Sequence, residues 1–297
     1  MKKSESWIIA YRKRDGRKTL IDDAESLFLT IPNSWRYWRG DPFLFEHSGK
    51  TFIFSELYDR ILRRGVIGFC ELKNDGASPW KIVLREPFHL SYPQVFSYGR
   101  DIFMIPESYV PEEIRLYKAV SFPEKWIYVK TLERERVVDS TIITFRGKKY
   151  LLAQRILDRG EQLVIFDIAD RLELSHMRNA APLNDKNSRP AGLPFQSGDK
   201  LYRPSQDCTE SYGFALNINE VVAVDEGCFK EHNVCKFQPS DISIDCPVQV
   251  SGLHTYNLSD KWEVVDLKFY ERDYFYPLMR IIWGVYRRIT SLIKREK

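Results

Sequence analysis

The chain has 297 residues, of which 43% are hydrophobic and 14% aromatic, which is enough to fill a large core and excludes a disordered protein. The formal net charge is +4, but basic residues are concentrated in 276–297, and the rest of the chain is close to neutral. Binding to a phosphate backbone needs a basic face, so we expect no nucleic-acid partner.

Cysteine usage and the N-terminal residues bear on the compartment. The five cysteines are an odd number without CxxC spacing, which argues against both a disulfide framework and a zinc site. No apolar run follows the N-terminal lysines, so the sequence predicts no signal peptide. We therefore expect a cytoplasmic protein.

The first predicted element is a strand over residues 7–12, which precedes a repeat of β-hairpins. Each hairpin has two apolar runs on either side of a glycine turn. The turn glycines lie about 50 residues apart, at Gly49, Gly99, Gly147 and Gly198. Hairpins with this period are typical of a β-propeller, whose blades hold about four strands each. The repeat runs roughly five times along the chain, so we predict an all-β, five-bladed β-propeller over residues 1–273.

The other strands of each repeat follow in order. The Asn74-Asp75-Gly76 turn between two apolar runs is a specific hairpin signal. The remaining strands are predicted over residues 65–72, 80–84, 114–120, 127–129, 162–166, 172–174, 212–218, 221–224, 242–244, 252–257 and 262–266. We expect strand 7–12 to pair with the C-terminal strands and so close the ring without a free sheet edge.

Beyond residue 273 the hydrophobic period changes from two to 3.6 residues, which predicts a basic amphipathic α-helix over residues 274–297. Charges interrupt its apolar residues, so it cannot supply the ~20-residue apolar span that a bilayer requires. Two interpretations stay open: the helix packs on the propeller or a partner, or it lies on an anionic membrane through Leu278 to Lys297. Trp283 and Tyr286 beside the apolar stripe favour the membrane.

Polar residues recur at equivalent places of the predicted blades. The innermost strand of a blade starts near one mouth of the central channel, and the second strand returns to that mouth. Innermost-strand starts hold Asp41, Ser91, Tyr92, Asp139, Ser140 and Arg189, and second-strand ends hold Glu56, Glu107, Gln154, Gln206 and Asp207. A mouth lined by carboxylates and aromatic rings suits a sugar, because carboxylates act at anomeric carbons and rings cover C–H surfaces.

Structural roles are the alternative for each residue. An aspartate before a proline, as at Asp41, often only starts a turn or a strand. Glu107 would then cap a strand end, and Asp139 would bond the hydroxyl groups that follow it. The histidines His89, His176 and His254 lack metal-ligand spacing, so we interpret them as hydrogen-bonding residues and predict no metal site.

Several segments together resemble a known family. They are DPFLF at 41–45, SYPQVF at 91–96, MIPES at 104–108, FPEKW at 122–126, RPAG at 189–192, and YRPSQDC at 202–208 followed by YG at 212–213. As a set, over about residues 35–257, they resemble the propeller domain at the N-terminus of glucosamine inositolphosphorylceramide transferases and its bacterial relatives in surface-polysaccharide synthesis. More remotely, the chain is similar to the five-bladed propellers of family-43 and invertase-type glycosidases.

The glycosidase resemblance implies catalytic roles. In those enzymes one carboxylate comes from the start of each of the first three blades. Asp41 matches the first, which acts as base or nucleophile, and Asp139 lies where the third, the general acid, would be. Ser91 and Tyr92 occupy the place of the second, which argues against ordinary hydrolysis and leaves Glu107 to substitute from another position. We predict Asp41, Glu107 and Asp139 as the catalytic residues.

The predicted substrate-binding residues surround these carboxylates. They are Trp38, Arg39, Glu56, His89, Tyr92, Arg189, Arg203, Gln206 and Asp207. Arg189 and Arg203 are expected to neutralise a donor phosphate through charge-assisted hydrogen bonds. No cofactor is predicted.

The residues and the resemblance together predict a glycosyltransferase of surface-polysaccharide biosynthesis, in the cytoplasm and on the inner face of the plasma membrane. Its donor would be an activated sugar, furanosyl or phosphate-bearing, and its acceptor a glycan or glycolipid. Asp41 would attack or orient at the anomeric carbon, while Asp139 or Glu107 handles the acceptor proton. Two alternatives are a glycoside hydrolase that uses the same carboxylates and a non-catalytic glycan-binding propeller.

Overall fold

A computed structural model describes residues 3–225 and 228–272 of the chain. These residues form 22 strands and two short 3-10 helices, and the strands assemble into five β-sheets. The first two strands are β1 (Lys3–Lys13) and β2 (Phe28–Ile31).

Four blades follow in chain order. Blade 1 holds β3 (Tyr37–His47), β4 (Lys50–Asp59), β5 (Arg64–Lys73), β6 (Gly76–Ala77) and β7 (Lys81–Leu84). Blade 2 holds β8 (Ser91–Tyr98), β9 (Asp101–Glu107), β10 (Ile114–Ser121) and β11 (Lys125–Glu133). Blade 3 holds β12 (Val137–Phe145), β13 (Lys148–Leu157), β14 (Gly160–Ala169), a 3-10 helix (Asp170–Leu172) and β15 (Glu173–Asn179). Blade 4 holds β16 (Phe195–Ser197), β17 (Lys200–Asp207), β18 (Ala215–Val224) and β19 (Phe229–Phe237).

Blade 5 joins the two ends of the described chain and closes the ring. A second 3-10 helix (Pro239–Asp241) precedes β20 (Ile244–Asp245), β21 (Val250–Leu258) and β22 (Trp262–Arg272). The N-terminal strand β1 pairs antiparallel with β22 along its whole length, and the sheet order is β20-β2-β1-β22-β21. The prediction of a five-bladed propeller closed by strand 7–12 is therefore confirmed.

Tight turns fix the register of the repeated hairpins. His47 pairs with Lys50 across a two-residue loop in which Ser48 and Gly49 have φ values of 51° and 76°. Positive φ at both central residues is the type I′ turn, whose twist matches that of the flanking strands. The turn glycines of the next three repeats also have positive φ, so the glycine spacing reports the hairpin repeat directly.

Apolar side chains fill the spaces between neighbouring blades. In β4, Phe52 and Phe54 pack against blade 2, whereas the intervening Ile53 packs against blade 5. Successive strand residues point to opposite faces, so each middle strand contributes to two clusters. One cluster of buried residues lies between each pair of adjacent blades, all the way round the ring. The blades are thus held by lateral packing, which leaves the ring axis to polar groups.

One detail of the sequence prediction needs correction, and another falls on residues that the structure does not describe. Residues 212–218 and 221–224 were predicted as two strands, but β18 runs continuously over Ala215–Val224. The outer strand is β19, whose nine residues are mostly polar and exposed, so it carries little hydrophobic signal. The predicted helix 274–297 and its boundary with the propeller fall outside the described residues. Among the residues that the structure describes, none belongs to a helix with the length and apolar character needed to cross a bilayer.

Candidate active site

The innermost strands of the first three blades bulge at the same level. Their pairing skips a step at Asp41, Tyr92 and Asp139, and these residues have left-handed φ values of 51°, 45° and 54°. Left-handed backbone costs of the order of 1 kcal/mol for such residues and bulges re-aim side chains, so both are typical of functional sites. In blade 5 the pairing also skips at His254, which gives that side chain the equivalent place.

These bulges surround a small axial cavity of about 210 Å³. All five blades contribute to it, and its lining residues are Glu5, Trp7, Trp38, Gly40, Asp41, Glu56, Tyr58, His89, Ser91, Glu107, Asp139, Arg189, Tyr212 and His254. The volume is below the ~300 Å³ at which sites for drug-sized ligands begin, so the cavity suits a single small polar group such as one sugar ring.

Asp41 presents one free carboxylate oxygen to this cavity. Its Oδ2 accepts a hydrogen bond of 3.1 Å from the Tyr92 N–H, whereas Oδ1 accepts none from the described residues. The His254 Nε2 atom lies 3.3 Å from Oδ1, without the geometry of a hydrogen bond. Burial raises the pKa of Asp41 to about 7, with the charge of His254 opposing the shift and Asp266 adding to it. Asp41 can therefore exchange a proton near neutral pH.

His254 links Asp41 to a second buried carboxylate. Asp266 Oδ2 lies 2.7 Å from His254 Nδ1 and accepts the Asp41 N–H at 2.8 Å, and its Oδ1 accepts the Thr255 N–H at 2.8 Å. Asp266 therefore accepts all three of these hydrogen bonds, and the Nδ1 atom of His254 carries a proton. Burial lowers the pKa of His254, but Asp266 and Asp41 outweigh burial and raise it to about 9. We call Asp41, His254 and Asp266 the histidine side of the mouth.

The histidine side is compact enough to be tested as a metal centre. One ligand atom from each of Asp41, His254 and Asp266 lies within 4.8 Å of the others. Both Asp266 oxygens, however, already accept hydrogen bonds from backbone N–H groups and from the imidazole. A cation would have to break these bonds, so the donor set fits a hydrogen-bonded relay better than a metal site.

The opposite wall, which we call the arginine side, consists of Glu107, Asp139 and Arg189. Arg189 Nε donates to Asp139 Oδ2 at 2.5 Å, and the buried Gln206 amide donates to the same oxygen at 3.2 Å. The Asp139 N–H donates to Glu107 Oε2 at 3.3 Å. Burial and the charge of Asp139 hold the pKa of Glu107 well above its usual range, although Arg189 opposes this. The raised pKa thus favours the protonated form of Glu107 beside a fixed ion pair.

Glu56 supplies a further buried carboxyl group between the two sides. Burial and the charges of Asp41 and Glu107 raise its pKa well above the usual value. His89 Nδ1 accepts the Gly65 N–H at 2.9 Å, and burial lowers the pKa of His89 to about 4, so the neutral ring carries its proton on Nε2. That Nε2 lies 3.4 Å from Glu56 Oε1. A Cβ at Gly65 would lie 2.3 Å from a backbone oxygen and 2.5 Å from Glu56 Oε1, so only glycine allows this approach.

Aromatic rings form the rest of the wall. Trp38 and Tyr58 stack in parallel, with ring centroids 4.6 Å apart and an interplanar angle of 8°. Trp7 packs on the His254 ring at 4.1 Å, and the Arg189 guanidinium lies 5.0 Å above the Tyr212 ring. Flat apolar faces beside hydrogen-bonding groups are what the two surfaces of a sugar ring require.

The structure brings most, but not all, of the predicted residues together. Of the predicted set, Asp41, Glu107, Asp139, Trp38, Glu56, His89 and Arg189 line the axial cavity. Tyr92 and Gln206 lie just behind it: both are fully buried, and they contact Asp41 and Asp139 respectively.

Arg39, Arg203 and Asp207 do not line this cavity, so their predicted placement at the mouth is corrected. Arg39 donates to the Pro32 carbonyl at 2.8 Å, Arg203 is paired with Glu231, and Asp207 is paired with Lys236. Strand geometry explains all three. Arg39 directly follows Trp38 in β3, which lines the cavity. In β17, Arg203 lies three residues before Gln206 and Asp207 one residue after it. An odd separation along a strand puts two side chains on opposite faces of the sheet. Arg203 therefore does not face a donor phosphate in this cavity, in contrast to the prediction.

Several site residues were not predicted, among them Trp7, Tyr58, Tyr212, His254 and its partner Asp266. His254 could have been found by extending the repeat to the fifth blade, whose innermost strand bulges like the others. Trp7 reaches the site only through ring closure.

A family model and curated relatives connect the chain with the same family of proteins. Residues 33–243 match the family model described as "Glucosamine inositolphosphorylceramide transferase 1, N-terminal". The chain is 32% identical over 202 residues to glucosamine inositolphosphorylceramide transferase 1 of Oryza sativa subsp. japonica, covering 64% of this chain and 27% of that protein. The Arabidopsis thaliana protein of the same name is 32% identical over 204 residues, and the match covers 65% of this chain and 27% of that protein. The chain thus spans about a quarter of the length of these relatives.

Solved structures show the likeness of fold. The catalytic domain of the GH62 α-L-arabinofuranosidase of Coprinopsis cinerea superposes with a TM-score of 0.61, 10% identity, and coverage of 88% of this chain and 97% of that chain. An α-L-arabinofuranosidase of Podospora anserina superposes with a TM-score of 0.59 at 10% identity, and the match covers 79% of this chain and 91% of that chain. At this identity the match establishes the propeller architecture and nothing about the reaction.

Proposed function

Because the chain belongs to the family of the N-terminal domain of glucosamine inositolphosphorylceramide transferase 1, we propose that it is a carbohydrate-active enzyme that transfers a sugar. The donor is an activated sugar, and the acceptor is a hydroxyl group of a glycan or glycolipid. The observation that carries the proposal is Asp41, a buried carboxylate whose Oδ1 accepts no hydrogen bond from the described residues and borders the axial cavity.

Asp41 acts as the general base. The acceptor oxygen attacks the anomeric carbon and gives its proton to Asp41 Oδ1. The bond between that carbon and the leaving oxygen breaks with its electron pair on the leaving group. A base is most effective when its pKa is near the working pH, and that of Asp41 is raised to about 7. His254, held protonated by Asp266, stabilises the Asp41 carboxylate before it takes up the proton.

The arginine side binds and orients the sugar ring. Glu107, whose raised pKa favours the protonated form, donates a hydrogen bond to a sugar oxygen. The ion pair of Arg189 with Asp139 fixes both side chains, and the Trp38 ring covers an apolar face of the sugar. A phosphate leaving group is stable as an anion and needs no proton from Glu107.

Glycoside hydrolysis is the second candidate, and Glu107 is the observation that favours it. An alkoxide leaving group needs a proton, and a carboxylic acid with a raised pKa beside a carboxylate base is the pair that glycosidases use. In that reaction water replaces the acceptor hydroxyl group at Asp41.

The test is transfer by the purified full chain, supplied with nucleotide-activated pentoses and hexoses and an alkyl glycoside acceptor, with products identified by mass spectrometry. We expect a new glycoside from the wild-type chain and from Asp75→Asn, a control in an exposed turn, but not from Asp41→Asn. Equal activity of Asp41→Asn and the wild type would remove Asp41 from the mechanism. Release of free sugar identifies a hydrolase, and sugar binding without turnover identifies a binding module.

The location of the reaction is also part of the proposal: the cytoplasmic face of the plasma membrane, during synthesis of a surface polysaccharide. It rests on the basic and apolar pattern of residues 278–297. Membrane fractionation tests it. The full chain should sediment with membranes, and a chain ending at residue 273 should stay in the supernatant; identical fractionation of the two chains contradicts the proposal.

A further inference from the structure

A second, larger cavity of about 720 Å³ adjoins the axial cavity, and we call it the outer cavity. Strand β1, the loop after β2, the turn after β4 and the end of β22 form its walls. The lining residues used below are Glu5, Asn33, Trp35, Trp38, Tyr58, Arg60, Arg63, Val248, Glu271 and Arg272. Its volume lies within the range of about 300–1,000 Å³ that is usual for small-molecule sites.

The two cavities share part of their walls. Glu5, Trp38 and Tyr58 line both of them. The parallel stack of Trp38 and Tyr58 therefore forms the boundary that a ligand occupying both cavities would cross. A ligand with its reacting carbon beside Asp41 would extend over these two rings into the larger space.

The two cavities differ in charge. Among its described lining residues, the axial cavity has several buried carboxyl groups and two cations, Arg189, which is paired with Asp139 at 2.5 Å, and His254. The outer cavity has three arginines, Arg60, Arg63 and Arg272, against the two carboxylates Glu5 and Glu271. Among the described lining residues, cations therefore outnumber carboxyl groups in the outer cavity but not in the axial cavity, which favours an anionic group in the outer one.

Arg60 is held in one position at this wall. Its Nε and Nη2 donate to Glu271 Oε1 at 2.9 and 2.7 Å, and its Nη1 donates to the Ser34 carbonyl at 2.8 Å. Arg272 makes no ion pair with the described residues. Arg60 therefore contributes a fixed positive charge to the wall, and Arg272 lines the same cavity with a guanidinium whose geometry matches phosphate oxygens well.

The rim of the outer cavity also offers an apolar surface. The Trp35 side chain is 71% exposed, and Val248 beside it is 36% exposed. Asn33, whose amide donates to the Trp7 carbonyl at 2.7 Å, has a buried Oδ1 that accepts no hydrogen bond from the part of the chain that the structure describes. A ring with N–H or O–H donors could use both the indole face and this acceptor.

We propose that the outer cavity binds the phosphate-bearing leaving group of the activated sugar donor. This inference rests on the proposed glycosyl transfer and assigns the donor's chemical class. When the bond from the anomeric carbon to the phosphate oxygen breaks, the electron pair stays on that oxygen, and Arg60, Arg63 and Arg272 compensate its charge. The phosphate belongs to a nucleoside diphosphate or to a lipid phosphate, which share this chemistry.

Binding measurements on the full chain test the site. Uridine diphosphate and inorganic pyrophosphate are titrated calorimetrically, and phosphatidylcholine vesicles containing phosphatidic acid are used in a flotation assay. We expect Arg63→Ala and Arg272→Ala each to weaken phosphate binding by about tenfold, the effect of one lost charge-assisted contact. The exposed Arg17→Ala is the matched control and should bind like the wild type.

The probes distinguish the two sources of the phosphate. Arginine-dependent binding of uridine diphosphate, weakened by Trp35→Ala while pyrophosphate binding is not, identifies a nucleotide donor. Arginine-dependent binding of the vesicles alone identifies a lipid phosphate. Absence of binding by every probe, or equal binding by the arginine variants and the wild type, overturns the inference.

The Asp41→Asn variant separates this inference from the proposed function. It should bind the phosphate probe with wild-type affinity while it fails to transfer sugar. Arginine-dependent phosphate binding without transfer from any donor would remove the glycosyl transfer alone. Transfer without arginine-dependent binding would remove the leaving-group site alone.

Discussion

The histidine side and the arginine side of the axial mouth each contain two carboxyl groups and one cation, but the cations differ. Histidine bonds Asp266 through Nδ1, and Asp41 Oδ1 accepts no hydrogen bond from any described residue. The arginine is bonded to Asp139 at 2.5 Å, and the pKa of Glu107 beside that pair is raised, which favours its protonated form. The choice of cation thus decides which carboxyl group can accept a proton and which can donate a hydrogen bond.

The largest expected effect separates the two sides by their role in the reaction. Asp41→Asn removes the base and should lower the rate of sugar transfer by about 10²- to 10⁴-fold. Glu107→Gln keeps a hydrogen-bond donor and should lower it by less than about tenfold, because a phosphate leaving group needs no proton. Steady-state rates of the two variants check this. A loss as large in Glu107→Gln as in Asp41→Asn would indicate an alkoxide leaving group and favour hydrolysis.

The next effect concerns the stability of the arginine side. Arg189→Met leaves Asp139 buried without its cation, which should lower the free energy of unfolding by about 3–5 kcal/mol. The double variant Arg189→Met, Asp139→Asn should recover most of that loss, since no uncompensated charge remains. Urea denaturation measures both, with Arg17→Met as the exposed control. A double variant no more stable than the single one would mean that the ion pair is not the cause.

The histidine side should instead be visible in the pH dependence of stability. The folded state holds the proton of Asp41 more tightly than the unfolded state, because burial raises its pKa from 3.8 to about 7. Stability from this group is therefore present below about pH 4 and is lost as the pH rises to about 7, by at most about 4 kcal/mol. Glu56, Glu107 and His254, whose pKa values are also raised, act in the same direction at their own titrations.

Denaturation of the wild type and of Asp41→Asn between pH 4 and pH 9 measures this difference. The variant should lose part of the slope between about pH 4 and pH 7 and keep the rest. Parallel curves for the two proteins would show that Asp41 does not titrate in this range.

The smallest effect concerns the imidazole. The positive charge of His254 lowers the pKa of Asp41, so His254→Gln should move the Asp41 titration to higher pH, by roughly one unit. The rising limb of kcat/KM against pH should shift in the same direction. An unchanged limb would show that His254 is neutral in the working enzyme.

The ring could be predicted from the sequence because its signals are local. Turn glycines at positive φ and the Asn74-Asp75-Gly76 hairpin mark strands wherever they occur, and the 50-residue period needs no knowledge of contacts. Strand β19 was missed because its exposed, polar residues give no such signal.

The site could be predicted only in part, since the repeat gives the level of a residue in its blade but not the direction of its side chain. Arg203 and Asp207 were placed at the mouth although they lie on the other face of the strand that carries Gln206. The ion-pair partner of a charged group depends on how neighbouring blades meet: Arg189, which precedes blade 4, bonds Asp139 of blade 3, 50 residues earlier. The outer cavity combines the first and the last of the described strands, which no local pattern reveals.

The position of strand β1 in blade 5 has a consequence for folding during translation. Trp7 packs on His254, and Asp41 receives its neighbours from β21 and β22, so the pocket is assembled only when the last described strands meet the first. Contacts so distant along the chain are slow to form, because a long loop must be closed first. During translation, nascent polypeptides that already contain Asp41, Glu107 and Asp139 would remain inert towards cellular sugars until synthesis has passed β22.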